Sequence, residues 1–190
     1  MQPGPQRGFP GEGFYGAHVG LGGNLEAESH ILKAIPEIAS RMKVLATSRF
    51  YRTPPFHPLP VPQPPYVNGV LHVEVSVGPW DFKFRVLREI ETKAGRVRTA
   101  DVFAPRVLDL DLLLFDETRI RSEELTLPDP DIYVRSFWTI PLAELLPDLP
   151  VPGTSLRLHE LAARMESEQI VYLESLTRRI RHLLGLSHPA

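Results

Sequence analysis

Proline sets the first limit on this chain. Seven of the twelve positions from 54 to 65 are proline. Proline fixes φ and has no backbone N–H, so this stretch is unfit for a helix interior or a central strand and favours extended polyproline conformations. Any sheet must therefore be assembled from segments on either side of a long connector. The whole chain holds 20 prolines in 190 residues, about twice the usual ~5%.

On either side of that connector the apolar periodicity separates strands from helices. Phe14 to Leu21 predicts a strand that closes on the tight turn Gly20-Leu21-Gly22-Gly23-Asn24. Residues 25–42 predict a helix with Ile31, Ile35 and Ile38 on one stripe, kinked or restarted at Pro36. Val44–Arg52 and Tyr66–Val77 predict two more strands. A helix then opens on Pro79 and stops at Gly95. Phe82, Val86, Leu87, Ile90 and Ala94 form its buried stripe, and Lys83, Arg88, Glu91 and Lys93 lie outside. Val107–Phe115 predicts a fourth strand, and 118–121 a short edge strand. Residues 128–150 carry five further prolines and predict short turns. Residues 155–185 carry helical patterns, with Leu173, Leu176, Ile180 and Leu183 on one side, a stripe expected to pack on the core, with a partner as the alternative. The order β-α-β-β-α-β predicts an α+β, ferredoxin-like antiparallel sheet with helices on one face and an added C-terminal helical segment. The expected division is a flexible tail over 1–13, a domain over 14–165 and a helical extension over 166–190.

Composition removes several classes of function. The chain has no cysteine, which excludes disulfides, thiolate zinc sites and thiol catalysis. Its net charge of −2 argues against a general nucleic-acid binder. No run reaches 18 apolar residues, and the opening MQPGPQRGFPGEG has no apolar core of a secretory signal. The expected protein is cytoplasmic and engages neither membrane nor nucleic acid; a monomer is expected, although composition does not give the oligomeric state. The Gly turn lacks the last glycine of G-x-G-x-x-G, no Gly-Lys-Ser/Thr occurs, and His57, His72 and His159 show no zinc spacing.

The chemistry concentrates between Gly95 and Asp111. On a strand, Asp109 and Asp111 share a face while Leu108, Leu110 and Leu112 take the other. Their backbones would lie roughly 6.6 Å apart, where two carboxylates repel by about 2.5 kcal/mol at an effective dielectric of ~20. A hard divalent cation shared with phosphate oxygens relieves that repulsion; a solvated sheet face is the plainer alternative. Arg96, Arg98 and Arg106 lie beside the pair, and guanidinium forks suit phosphate. Cations on both sides of a polyphosphate are what phosphoryl transfer needs. Salt bridges at a helix end are the plainer reading of the arginines.

Taken together, five segments resemble the 6-hydroxymethyl-7,8-dihydropterin pyrophosphokinase family. In order they are Gly22-Gly23-Asn24-Leu25; Ser48-Arg49-Phe50-Tyr51-Arg52-Thr53-Pro54-Pro55; Tyr66-Val67-Asn68; Gly95-Arg96-Val97-Arg98; and Pro105-Arg106-Val107-Leu108-Asp109-Leu110-Asp111. Arg135-Ser136-Phe137, Pro141-Leu142 and Pro147 extend the match, which covers roughly 15–150. The resemblance implies transfer of pyrophosphate from ATP to the hydroxymethyl pterin in folate biosynthesis, with AMP released. It implies that Asp109 and Asp111 hold two Mg²⁺ ions. Arg96 and Arg106 would contact the phosphates, with Arg98 nearby, Arg135 on ATP and Glu91 at the nucleotide pocket. Thr53, Pro54 and Phe56 would line the pterin site, Asn68 would bond the ring's polar edge, and Tyr66 and Phe137 would sandwich it, where core packing is the plainer reading. Residues 96–104 and the proline run would be loops that close over ATP. Three positions depart from the family pattern. Gly23 stands for Ser, Phe103 for Trp, and Asp129 stands for the His of Pro-His-Pro. The last predicts weaker ATP binding, because a carboxylate repels triphosphate. A catalytically weak nucleotide- or pterin-binding module is the alternative function.

Overall fold

The computed structural model describes residues 13–55, 62–98, 101, 104–165 and 169–186. Strand β1 (Tyr15–Gly23) is central and pairs antiparallel with β4 (Tyr66–Val75) on one side and β5 (Asp109–Phe115) on the other. The expected strand over Val44–Arg52 is split into β2 (Lys43–Thr47) and β3 (Tyr51–Thr53), both antiparallel to β4. A short C-terminal strand, β8 (Val171–Tyr172), covers the free edge of β3, which gives the order β5-β1-β4-β3-β8. The short segment expected near 118–121 is β6 (Ile120–Arg121). It pairs with β7 (Thr126–Leu127) in a separate ribbon rather than edging the main sheet.

Two apolar layers hold the sheet. Ala17, Val19 and Leu21 alternate onto one face of β1 and are buried there with Ile31, Ala34, Ile35 and Ile38 of α1 (Ala27–Arg41). Helix α1 runs through Pro36 without restarting; Ile35 and Ile38 are buried on either side of it, so packing outweighs the bond that proline forfeits. The segment from Pro79 packs on the same face as α2 (Pro79–Asp81), a π-helical turn Phe82–Leu87 and α3 (Arg88–Lys93). It ends as expected: Gly95 has φ of 91°, and the Arg96 N–H returns to the Glu91 carbonyl at 3.0 Å.

The expectation of helices on one face needs correction. Helix α4 (Ser136–Leu145) forms where only turns were expected, and with α5 (Leu158–Met165) it packs on the opposite face. Gly20 makes room for it, since a Cβ there would lie 2.7 Å from the Trp138 ring. Helix α6 (Glu174–Leu184) returns to the first layer through Leu176 and Ile180, while Leu183 stays 49% exposed, outside the expected stripe.

His18 and His72 are cross-strand partners on β1 and β4, stacked with ring centroids 4.5 Å apart. Burial, then the neighbouring His72, push the His18 pKa down to about 4. The unfolded chain protonates near pH 6.5 and the folded chain does not, so stability is lost as pH falls from about 6.5 toward 4, by up to about 3 kcal/mol. Thermal unfolding between pH 7 and 5 is expected to show a falling midpoint, and His18→Gln is expected to flatten that slope.

Candidate active site

The register of three strands lays out the site. Asp109 faces Gly22 across β5–β1, Gly22 faces Asn68 across β1–β4, and Asn68 faces Tyr51 on β3. Asp111 lies opposite Gly20, so both acids occupy the face of β1 that carries the glycines, with Leu110 and Leu112 buried behind them. Gly22 leaves a bare floor between an acid and an amide. A Cβ there would come 3.0 Å from Asn68 Oδ1, and the two strand spacings from Asp109 to Asn68 span roughly 9.6 Å. Asn68 is buried, and its Nδ2 donates to Thr53 Oγ1 at 2.9 Å.

The arginines converge on the acids. Asp109 is paired with Arg96 and also with Arg106, the latter at 2.6 Å. Burial pushes the Asp109 carboxyl up, but these two guanidiniums outweigh it and hold the group below the usual carboxylate range. Asp111 lies above that range, through burial first and then the charge of Asp109. Its ion pair is with Lys83, whose Nζ sits 3.0 Å from Oδ1. Glu91, 2% exposed, bridges Arg96 and Arg98 and accepts the Leu110 N–H at 2.8 Å. Burial raises its pKa as well. The sequence pattern had placed Lys83 and Glu91 outside. The expected stripe itself holds, with Phe82, Leu87 and Ile90 buried; Lys83 and Glu91 lie on its edge, each four residues from Leu87.

The Gly-Gly-Asn turn holds the arginine loop. Asn24 donates its N–H to the Arg106 carbonyl at 2.9 Å, and its Oδ1 accepts the Arg106 N–H at 2.8 Å. The loop comes so close that a Cβ at Gly23 would lie 2.7 Å from the Val107 carbonyl oxygen. This backbone approach therefore leaves no room for a side chain at 23.

Thr53, Pro54 and Phe137 line a cavity of about 180 Å³ together with Pro55, Ser136, Gln169 and Ile170. Gln169 and Ile170 come from the C-terminal extension, which the sequence reading kept apart from the site; only a long-range contact reveals them. Arg135 caps the start of α4, its Nε 3.3 Å from Asp131 Oδ2. The Tyr66 hydroxyl donates to Gln63 Oε1 at 3.3 Å, and Gln63 Oε1 also accepts from Asn24 Nδ2 at 2.8 Å. Phe137 stands edge-on to Trp138, centroids 5.2 Å apart. Tyr66 and Asn68 are not among the residues lining that cavity. Phe56 and Phe103 lie outside the described residues.

Residues 18–147 match the model of the 7,8-dihydro-6-hydroxymethylpterin-pyrophosphokinase family. A Synechocystis sp. relative named 2-amino-4-hydroxy-6-hydroxymethyldihydropteridine pyrophosphokinase is 35% identical over 169 residues, covering 87% of this chain and 84% of its own. A Haemophilus influenzae protein of the same name is 35% identical, over 83% of this chain and 97% of its own. Among solved structures, Plasmodium falciparum HPPK-DHPS shares the fold with a TM-score of 0.64 at 12% identity, over 85% of this chain and 51% of that one. This chain thus spans about half of that solved chain. With the acid pair, the arginine loop and the glycine turn all inside the matched range, the chain belongs to the 7,8-dihydro-6-hydroxymethylpterin-pyrophosphokinase family.

Proposed function

We propose that this chain transfers the pyrophosphoryl group of ATP to the hydroxymethyl oxygen of 6-hydroxymethyl-7,8-dihydropterin, forming the pterin diphosphate and releasing AMP in folate biosynthesis. The observation that carries this reading is the row across the sheet. Asp109, held by two guanidiniums and with Asp111 two residues along the same strand face, looks over a bare glycine floor to an amide fixed by Thr53.

Asp109 and Asp111 would hold two Mg²⁺ ions. The donors fit: they are hard carboxylate oxygens on one strand face. Among the described residues no larger cluster of metal-ligating side chains is present, and Mg²⁺ is bound through one or two carboxylates with phosphates and water supplying the rest. Held by Asp109 and Asp111, the metal would supply Lewis-acid neutralisation of the phosphate charge. Arg96 and Arg106 turn from Asp109 to the phosphates of the transferred group, while Arg98 and Arg135 bind ATP. Glu91 keeps Arg96 and Arg98 in register at the nucleotide pocket. Thr53, Pro54 and Phe56 line the pterin site, Asn68 bonds the ring edge, and Tyr66 and Phe137 stack on it. The β1-α1-β2/β3-β4-α3-β5 succession is read as ferredoxin-like with α6 added. We read the protein as a cytoplasmic monomer without membrane partners, and the net charge of −2 supports the absence of nucleic-acid partners.

Incubation with ATP, Mg²⁺ and the hydroxymethyl pterin is expected to yield AMP. ADP would mark an ordinary kinase. ATP binding with neither product would mark the binding-module reading, which one observation favours. Asp129 is half-buried, and burial first, with the Asp111 charge adding, lifts its pKa to about 6. Above that pH it is a further negative charge beside the acid pair. Asp129→His is therefore expected to tighten ATP binding by at least about fivefold in calorimetric titration, the effect of one charge at water-like dielectric; no gain overturns the assignment.

A further inference from the structure

Lys83 turns inward. Its ammonium bonds Asp111 Oδ1 at 3.0 Å and the Leu110 carbonyl at 3.3 Å. The π-helical turn delivers it there while Phe82 beside it stays fully buried. The charges of this corner are arranged unevenly. Asp109 has two guanidiniums, whereas the ion pair of Asp111 among the described residues is with Lys83. Asp129 adds a further carboxylate nearby, because its N–H docks on the Leu113 carbonyl of β5 at 2.9 Å. An ammonium is a compact point charge, and this one sits on the carboxylate oxygen that a hard cation would use.

We propose that Lys83 is a positioning residue that holds Asp111 in the nucleotide-free protein in the place of a divalent cation and releases that oxygen when the cation arrives. This rests on the metal role proposed for Asp109 and Asp111. Lys83 thereby sets the affinity of the acid pair for free metal and balances the Asp111 charge while metal is absent.

The test is Mn²⁺ binding to the full chain without nucleotide, read by electron paramagnetic resonance. Wild type is compared with Lys83→Met, Lys83→Gln and Lys83→Arg, with Asp111→Asn as the control that loses binding. Met and Gln are expected to tighten Mn²⁺ by about tenfold or more, the repulsion of a unit charge and a divalent ion at contact in water. Arg, which keeps the charge, is expected to stay near wild type. Gln retains a donor for the Leu110 carbonyl, so the comparison survives if the Met variant folds poorly. Mn²⁺ binding to wild type with unchanged or weaker binding in Met and Gln overturns the role of Lys83 alone. Binding by none of the proteins without nucleotide overturns the role of Lys83; absence of Mn²⁺ binding also with a non-hydrolysable ATP analogue present overturns the metal reading as well.

Discussion

Alanine at Asp111 is expected to abolish AMP formation while leaving a folded protein. Metal-assisted stabilisation of transferring phosphate supplies several kcal/mol. At ~1.36 kcal/mol per decade of rate, its loss lowers turnover by at least about 10³-fold. The fold should tolerate the change, because the ionised Asp111 is disfavoured where it stands, by burial and by Asp109. Lys83 keeps the Leu110 carbonyl as an acceptor. The thermal midpoint is therefore expected to move by only a few degrees. Asp109→Ala is expected to lose as much activity but more stability, since Arg96 and Arg106 both lose an acceptor there. Turnover within tenfold of wild type in Asp111→Ala, by AMP release, would refute the assignment of the acid pair.

What the sequence made legible was local and periodic. Asp109 and Asp111 read as one face because period two is obeyed through Leu112; the ladder shifts register only beyond it, between His18 and Val19 on the partner strand. The α1 stripe read correctly for the same reason. Helix α4 did not, because Pro141 inside it masked a segment whose stability comes from burying Trp138, Thr139, Ile140 and Leu142. Lys83 and Glu91 were put outside by their charge although each lies four residues from buried Leu87, at the edge of a stripe that holds. Gln169 and Ile170 at the cavity, and β8 on the sheet edge, depend on contacts with residues distant in sequence, which no local pattern encodes. The resemblance supplied Glu91 as a pocket residue where its charge argued for solvent.

Arg106→Ala is expected to reduce kcat by roughly 10³–10⁵-fold, the effect of a lost guanidinium clamp in phosphoryl transfer, with a smaller loss of ATP affinity. It is a cleaner probe than Arg96, which also neutralises the buried Glu91, so that removing it leaves that carboxylate short of a partner. The Arg106 backbone is pinned independently of its side chain, by Asn24 on both its N–H and its carbonyl. Truncation should therefore leave the loop in place and remove only the charge and its fork. Arg106→Lys restores the charge without the planar pair of donors and is expected to recover part of the rate. Asn24→Ala is the complementary change: it keeps the guanidinium and the backbone bonds to the Arg106 carbonyl but removes the acceptor of the Arg106 N–H, and is expected to cost about 1–3 kcal/mol of stability as well as activity. Equal kcat in Arg106→Ala and wild type would show that the guanidinium serves only to balance Asp109. A loss in Arg106→Ala at unchanged thermal midpoint would locate its effect in the chemistry of the phosphates.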